Sequence, residues 1–520
     1  MALKTEVYGF LKKSARLCSG CPEAEPILSG IRDMQTRLET PLRVAVVGIM
    51  KAGKSTFMNA LMGKDILETG TLETTYTVSW FKYADKPSLT VRMRDGTERN
   101  ESFESLSKWT TRSAGEENSL LNDVQYVIIY YPSEVLKKME FIDTPGLNSI
   151  YGTDAQNTLD FLSISSSEDT LTEASKADAV IYAFSRSAGN FDKDILDAFH
   201  SGGSGETSPI NSIGILTKAD MSGIWDIYGE QTPVETALAV TKKQMENPDM
   251  KRQLFSIYPV CAKAVEGCSK ITELEWSGLS AIAEKMSAEE LTDYLFDAKT
   301  FCECQDEEFA ALGTAAFRTL LIENIGQYGI LEIVRQLRCG ATKEEIPAIM
   351  QEKCGIAKVS GTLQSHFSNR TFLIKAQYIF NYLRSIVSAS RKKAPRNSKL
   401  YHICEQISAD LESLISTQQT FKELRVLQMY YNNQVAFVTP EEKEDFLRVT
   451  GEYGKTVEEK LGMPVGSSVA ALTEAAKKKV EQWHLYAGCF MKTRNYIEAA
   501  KIISRSYEQM YYHLSALTDD

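Results

Sequence analysis

The chain has 520 residues, 43% hydrophobic and 24% charged, with a formal net charge of -11 and a pI of about 5.3. That is ordinary globular composition, long enough for two to four domains. The acidic balance speaks against a general nucleic-acid binder, which presents basic surface, so no nucleic acid is expected as a partner. The longest apolar runs stay well short of the roughly 20 residues that span a bilayer.

Met1–Leu17 mixes Lys4, Glu6, Lys12 and Lys13 with Val7, Phe10 and Leu11. It reads as an amphipathic helix and not as a signal peptide, so a cytoplasmic location is expected. In the second predicted helix Ile27, Ile31, Met34 and Leu38 share one face, and Pro41 ends it. From about 42 to 265 short β-rich runs alternate with helical stretches. The runs are Arg43–Val47, Val78–Tyr83, Leu89–Met93, Val124–Tyr131, Met139–Ile142, Ala179–Phe184, Ile213–Leu216 and Ser256–Val260. This alternation predicts an α/β domain with a mostly parallel sheet. Pro132-Ser133-Glu134, between the fourth and fifth runs, predicts an antiparallel edge hairpin. After 265 helical periodicity dominates and only Pro347, Pro395, Pro440 and Pro464 interrupt it, which predicts an all-α helical bundle or stalk. The expected organisation is N-terminal helices over 1–41, an α/β nucleotide domain over 42–300, and a helical neck and stalk over 301–520. Ten cysteines are scattered, and the one CxxC, Cys18-Ser-Gly-Cys21, has no second pair with which to build a zinc site.

Gly48-Ile49-Met50-Lys51-Ala52-Gly53-Lys54-Ser55, between a strand and a helix that starts at Thr56, matches the P-loop, whose backbone N–H groups cradle phosphates. Lys54 should reach the β- and γ-phosphates and Ser55 should ligate magnesium, the expected cofactor. Asp143-Thr144-Pro145-Gly146 follows a strand, which predicts Asp143 on the metal and the Gly146 N–H on the γ-phosphate. Thr217-Lys218-Ala219-Asp220 follows another strand. One carboxylate, Asp220, can accept from both N1–H and the 2-amino group of guanine, a pair of donors that adenine lacks, and the Lys218 stem can cover the purine ring. Val260-Cys261-Ala262-Lys263 resembles the segment whose backbone meets guanine O6. Thr75 is the favoured switch threonine for the magnesium shell, with Thr74 and Thr71 as rivals. Ordered this way at strand ends, the motifs predict GTP as the ligand.

These residues resemble the dynamin-like large GTPases, especially their bacterial members. Gly48–Gly63 (GIMKAGKSTFMNALMG) is similar to their phosphate loop and first helix. Leu67–Ser79 is similar to their first switch, although Glu73 stands where relatives often carry Pro. Asp143–Asn148 (DTPGLN) is similar to their second switch. The resemblance covers about 42–265 by motif and the flanks by helical character alone. It implies a neck and stalk of helices, GTP hydrolysis stimulated by G-domain dimerisation with a second copy or a paralogous partner, and remodelling of membrane. The cytoplasmic chain would then associate peripherally with anionic lipid. The regulatory alternative is a GTPase that switches a protein partner through its helical half, away from membrane. Small GTPases often place a water-orienting Gln after Asp-x-x-Gly, but here Leu147 stands there. Lys51 matches the position of the catalytic cis-arginine of guanylate-binding proteins and is expected to supply charge to the γ-phosphate. Candidate membrane contacts are Arg391–Lys399, with five cations, and the apolar loop Gly462–Gly466.

Overall fold

Every residue of the strand Leu42–Val47 (β1) is buried, because it lies inside a nine-stranded sheet with neighbours on both edges. The computed structural model describes residues 2–49, 51–67, 77–111, 121, 123–144, 177–185, 209–221, 224–304, 314–489 and 491–518. The other strands are Val78–Tyr83 (β2), Ser88–Met93 (β3), Glu98–Glu101 (β4), Val124–Tyr131 (β5), Met139–Asp143 (β6), Ala179–Phe184 (β7), Ser212–Leu216 (β8) and Ile257–Pro259 (β9). Their order is β4-β3-β5-β2-β6-β1-β7-β8-β9. The block from β6 to β9 is parallel, and β2 joins it antiparallel to β6. The mostly parallel α/β sheet followed by helices is the expected fold class.

The predicted hairpin of Val124–Tyr131 with the strand at 139–142 does not form. β2 lies between the two, parallel to β5 and antiparallel to β6. Val78–Phe81 is buried and needs a neighbour on each edge. The link between β5 and β6 carries a 3-10 turn, Glu134–Lys137, and is long enough to step over one strand. Trp80 Nε1 then donates to Glu140 Oε2 at 3.0 Å, tying β2 to β6. The hairpin that does form is β3–β4, turned by Asp95-Gly96 with Gly96 at φ +89°. Thr97 N donates to Asp95 Oδ1 at 2.8 Å and closes that turn. Asp-Gly is a strong hairpin signal that the sequence reading passed over.

Helices Ala2–Cys18 (α1) and Glu25–Glu39 (α2) lead into β1. The helix Asn369–Lys393 packs on α2 and on Lys399–Thr417, and α1 packs on Lys399–Thr417. Phe380, Leu383 and Val387 are buried there, as are Ile503, Tyr507 and Leu514 on the helix Arg494–Thr518. A buried ionic cluster joins this bundle to the sheet. Asp178, just before β7, accepts from Arg37 Nε (2.9 Å) and Nη2 (2.6 Å) on α2 and from the Arg43 N–H of β1 (3.0 Å). Lys375 Nζ donates to the carbonyls of Arg37 (2.6 Å), Thr40 (2.5 Å) and Pro41 (3.1 Å) at the end of α2. Burial alone would raise the Asp178 pKa, but Arg37 and Lys375 outweigh it and hold it below the usual carboxylate range. Burial brings Lys375 down to about 8.

A second junction lies where the helix Ile356–Thr362 passes into Asn369–Lys393 through a π-turn, Leu363–Ser368. His366 of this turn is fully buried and stacks on Phe255, ring centroids 4.0 Å apart. Its Nε2 meets the Pro209 carbonyl at 2.8 Å and its Nδ1 lies 3.1 Å from Glu452. Arg370 Nη1 donates to the same Glu452 oxygen at 2.7 Å. Burial opposes the Glu452 charge, but His366 and Arg370 prevail and hold its pKa at about 2, against an ordinary 4.5. A carboxylate depressed in the folded state contributes stability that is fully present above its unfolded pKa and is lost as pH falls through the folded one. E452Q should therefore lower the urea unfolding free energy at pH 7 by on the order of 3 kcal/mol. The gap to the wild type should shrink at pH values between 4.5 and 2, which urea titrations of both proteins at pH 7 and pH 3 check.

Candidate nucleotide-binding site

The C-terminal ends of β1, β6, β8 and β9 bring the sequence motifs to one side of the sheet. After β1 the chain passes through Gly48, at φ +155°. A side chain there would run into the Ala183 carbonyl of β7, so only glycine fits this close approach. Lys51 holds a left-handed φ of +62° and its side chain is exposed. Ala52 is buried, and Gly53, at φ +80°, precedes the first turn of the helix Lys54–Met62 (α3), which contains Ser55 and Thr56. Lys54 is buried, and its Nζ donates to the carbonyls of Gly48 (3.2 Å) and Ile49 (3.3 Å). The first-turn N–H groups of α3, which lack helical partners, complete an anion cradle.

Ser55 Oγ lies 2.9 Å from Asp143 Oδ2. Asp143 is fully buried, and its Oδ1 has no hydrogen-bond partner among the described residues. Burial raises its carboxyl to about 6, against the pull of Lys54 and Ser55. A buried oxygen lacking a donor beside a serine hydroxyl suits a hard cation such as magnesium, which prefers oxygen ligands. Thr144 Oγ1 donates to the Val46 carbonyl at 2.9 Å and fixes the exit from β6.

The base motif also braces the phosphate loop. Thr217 Oγ1 donates to the Ala52 carbonyl at 2.5 Å, and Lys218 Nζ donates to the Lys51 carbonyl at 2.9 Å. Burial raises the Asp220 pKa, while Lys263 and Lys218 draw it back. The Asp220 N–H reaches the thiol of Cys261, whose own pKa burial pushes far up. Cys261 N is already donated to the Cys354 carbonyl at 3.0 Å. The N–H groups left for a base carbonyl are therefore those of Ala262 and Lys263, in the first turn of the helix Ala262–Cys268. Met50, Thr71, Thr74, Thr75, Gly146 and Leu147 lie outside the described residues. The sequence reading passed over Asn59, whose one signal is a polar residue on the buried side of α3.

Residues 44–219, from β1 to Ala219 within the Thr217–Asp220 motif, match the dynamin family. The chain carries a dynamin-family GTPase domain. Isoniazid-induced protein IniC of Mycobacterium tuberculosis (strain CDC 1551 / Oshkosh) is 25% identical over 485 residues, 92% of each chain. The bacterial dynamin-like protein of Nostoc punctiforme is 33% identical over 126 residues, 22% of this chain and 18% of that one. A solved structure of an oligomerised bacterial dynamin pair covers 98% of this chain and 90% of its own at 12% identity, with a TM-score of 0.31.

Asp220, just past the matched stretch, is the expected discriminating group for the base. D220N should weaken guanine-nucleotide binding by roughly 100-fold, because an amide cannot accept from both guanine donors. The same variant should gain affinity for xanthine nucleotides, whose 2-oxo group the new amide can meet. Competition binding with guanine and xanthine diphosphates checks both.

Proposed function

We propose that this GTPase binds GTP with magnesium, turns it over faster when two G domains associate, and couples that turnover to membrane remodelling. The observation that carries the nucleotide part is the pair Ser55–Asp143, with a buried oxygen lacking a donor, at the end of a phosphate loop that the base motif holds in place. Ser55 and Asp143 would hold the metal, with Thr75 as the expected third ligand. Magnesium, when bound, would offset the negative charge of the β- and γ-phosphates. Lys54 would bind the β- and γ-phosphates. Asp220, Ala262 and Lys263 would read the base.

Dimer activation is supported by Lys51. Its left-handed backbone is held by Lys218, and its side chain faces outward, open to a second subunit closing over the loop. Leu147 cannot orient water, so charge or positioning has to come from elsewhere.

Membrane contact is supported by two helix ends. Lys392, Lys393 and Arg396 are exposed and make no ion pair among the described residues, whereas Arg391 pairs with Glu405 and Lys399 donates to the Gly20 carbonyl. A second set was not picked out from sequence. In the hairpin of Val469–Ala487 with Arg494–Thr518, Leu485 is 76% and Met491 is 96% exposed, beside Lys492 and Arg494. Val465, in the predicted apolar loop, is 91% exposed. No described helix is long and apolar enough to cross a membrane, so the contact would be peripheral. Apolar side chains flanked by cations suit an anionic lipid surface.

GTP turnover per molecule should rise steeply with protein concentration, and further with anionic liposomes. K51A should lose at least about tenfold of the stimulated rate with GTP affinity nearly unchanged. Turnover flat in both protein and lipid overturns this reading in favour of a regulatory switch acting through the helical half. Liposome co-sedimentation of K392E/K393E/R396E and of L485D/M491D identifies the end that meets lipid: the variant lacking that end should stay in the supernatant.

A further inference from the structure

A polar side chain buried on a helix-packing face costs free energy unless it is fully hydrogen-bonded. Asn59 on α3 is such a residue, at 1% exposure. Five groups of neighbouring elements lie within hydrogen-bond distance of its side chain. Nδ2 faces Glu266 Oε1 (2.6 Å), the Leu67 carbonyl (2.7 Å) and Asp65 Oδ1 (3.1 Å). Oδ1 accepts from the N–H groups of Leu67 (2.9 Å) and Ile66 (3.1 Å). Glu266 lies on the helix Ala262–Cys268, which starts in the base segment. Lys270 Nζ ties Asp65 (3.1 Å) to Glu266 (3.3 Å) and offsets their charge.

One amide therefore joins three pieces: the helix of the phosphate loop, the helix of the base segment, and the turn 65–67. From that turn the chain leaves for the stretch with Thr71, Thr74 and Thr75. An amide nitrogen carries two hydrogens, and here it faces three acceptors. Asp65 is the acceptor farthest away, and it also has Lys270. The Leu67 backbone, bonded through both its N–H and its carbonyl, is the part Asn59 fixes most firmly.

We propose that Asn59 is a positioning residue for GTP hydrolysis. It fixes the Leu67 backbone, from which the sequence runs on to the candidate switch threonines, relative to the helices that follow the phosphate loop and the base segment. This rests on the GTPase reading above, with the switch threonine following residue 67. GDP needs only the phosphate loop and the base motif, whereas GTP also needs the switch. Loss of Asn59 should thus act on the third phosphate selectively. A residue that merely props up α3 would weaken both nucleotides alike.

The test uses full-length N59A, E266A and E266Q. Dissociation constants are measured for GDP and for a non-hydrolysable GTP analogue with magnesium, together with kcat and KM. N59A should keep GDP affinity within about threefold, lose about tenfold in its preference for the analogue over GDP, and lose at least about tenfold in kcat. E266A should move the same ratio by a smaller factor, and E266Q, which keeps the accepting oxygen, should restore it. Equal weakening of GDP and analogue, or an unchanged kcat, in the variants overturns the proposal. If N59A fails to fold, E266A against E266Q decides by the same comparison. A wild type that binds no GDP overturns the nucleotide reading itself, a failure visible before any variant is made.

Discussion

A carboxylate taken wholly out of water must have its counter-charges built around it, and Asp178 imposes that demand on the whole molecule. It stands at the N-terminal edge of the sheet, opposite the nucleotide ends of the strands. Arg37 reaches it from α2, the Arg43 N–H from β1, and Lys375 adds its charge from the helix Asn369–Lys393. The stretch from Arg37 to Arg43, Asp178 and Lys375, far apart in the chain, thus meet at one point. A buried ion pair is seldom the most stable filling for such a space, because desolvation offsets most of the attraction. Its effect here is geometric. Lys375 closes on the last carbonyls of α2, where the helix dipole is negative, and Arg37 lies over the Tyr378 ring with its guanidinium 4.0 Å from the centroid. An apolar contact tolerates many docking angles, whereas these donors and acceptors are satisfied in one.

The same strands carry both ends of the argument. β6 has Glu140 at its start, bonded to Trp80, and Asp143 at its end, bonded to Ser55. β1 begins beside Asp178 and ends in the phosphate loop. β7 begins beside Asp178 and passes its Ala183 carbonyl against Gly48. A second path runs along the other flank. Cys354 holds the N–H of Cys261, and His366 reaches the Pro209 carbonyl ahead of β8. The helical half therefore touches the GTPase domain at the sheet's far edge, at the base segment and at the entry to β8. A π-turn interrupts the helix at the last of these, a feature frequent at functional sites.

What was legible in the sequence was what depends on neighbours along the chain. The P-loop, the strand before it and the base motif are set by local spacing, and so are the buried stripes of the 369–393 and 494–518 helices. What was not legible depends on distant pairing. The hairpin expected between β5 and β6 failed because nothing local shows that Val78–Phe81 needs an edge on either side. The Asp95-Gly96 turn was legible and went unread, since β4 (ERNE) is polar and shows no strand alternation. Arg37 and Asp178 are 141 positions apart, and no motif announces them. Lys399, one of five cations in a run that reads as free basic surface, turns out to be tied to the Gly20 carbonyl, so charge density in sequence overstates what is available to a partner.

Cys261 shows how structure reassigns a motif. In sequence it occupies the place of a serine in the segment that meets the base. In the fold its thiol meets the Asp220 N–H and its own N–H goes to Cys354, so both of its local groups are committed within the protein. The thiol accepts from the Asp220 N–H and so steadies the loop that carries that carboxylate, and the next two residues open the helix Ala262–Cys268. A buried thiol raised far above its ordinary pKa is neutral and inert, and a neutral group is what this position needs. A charged one would act directly on Asp220, which burial already makes harder to ionise. Under the proposed guanine reading that carboxylate has to be ionised; burial works against this, while Lys263 and Lys218 work for it.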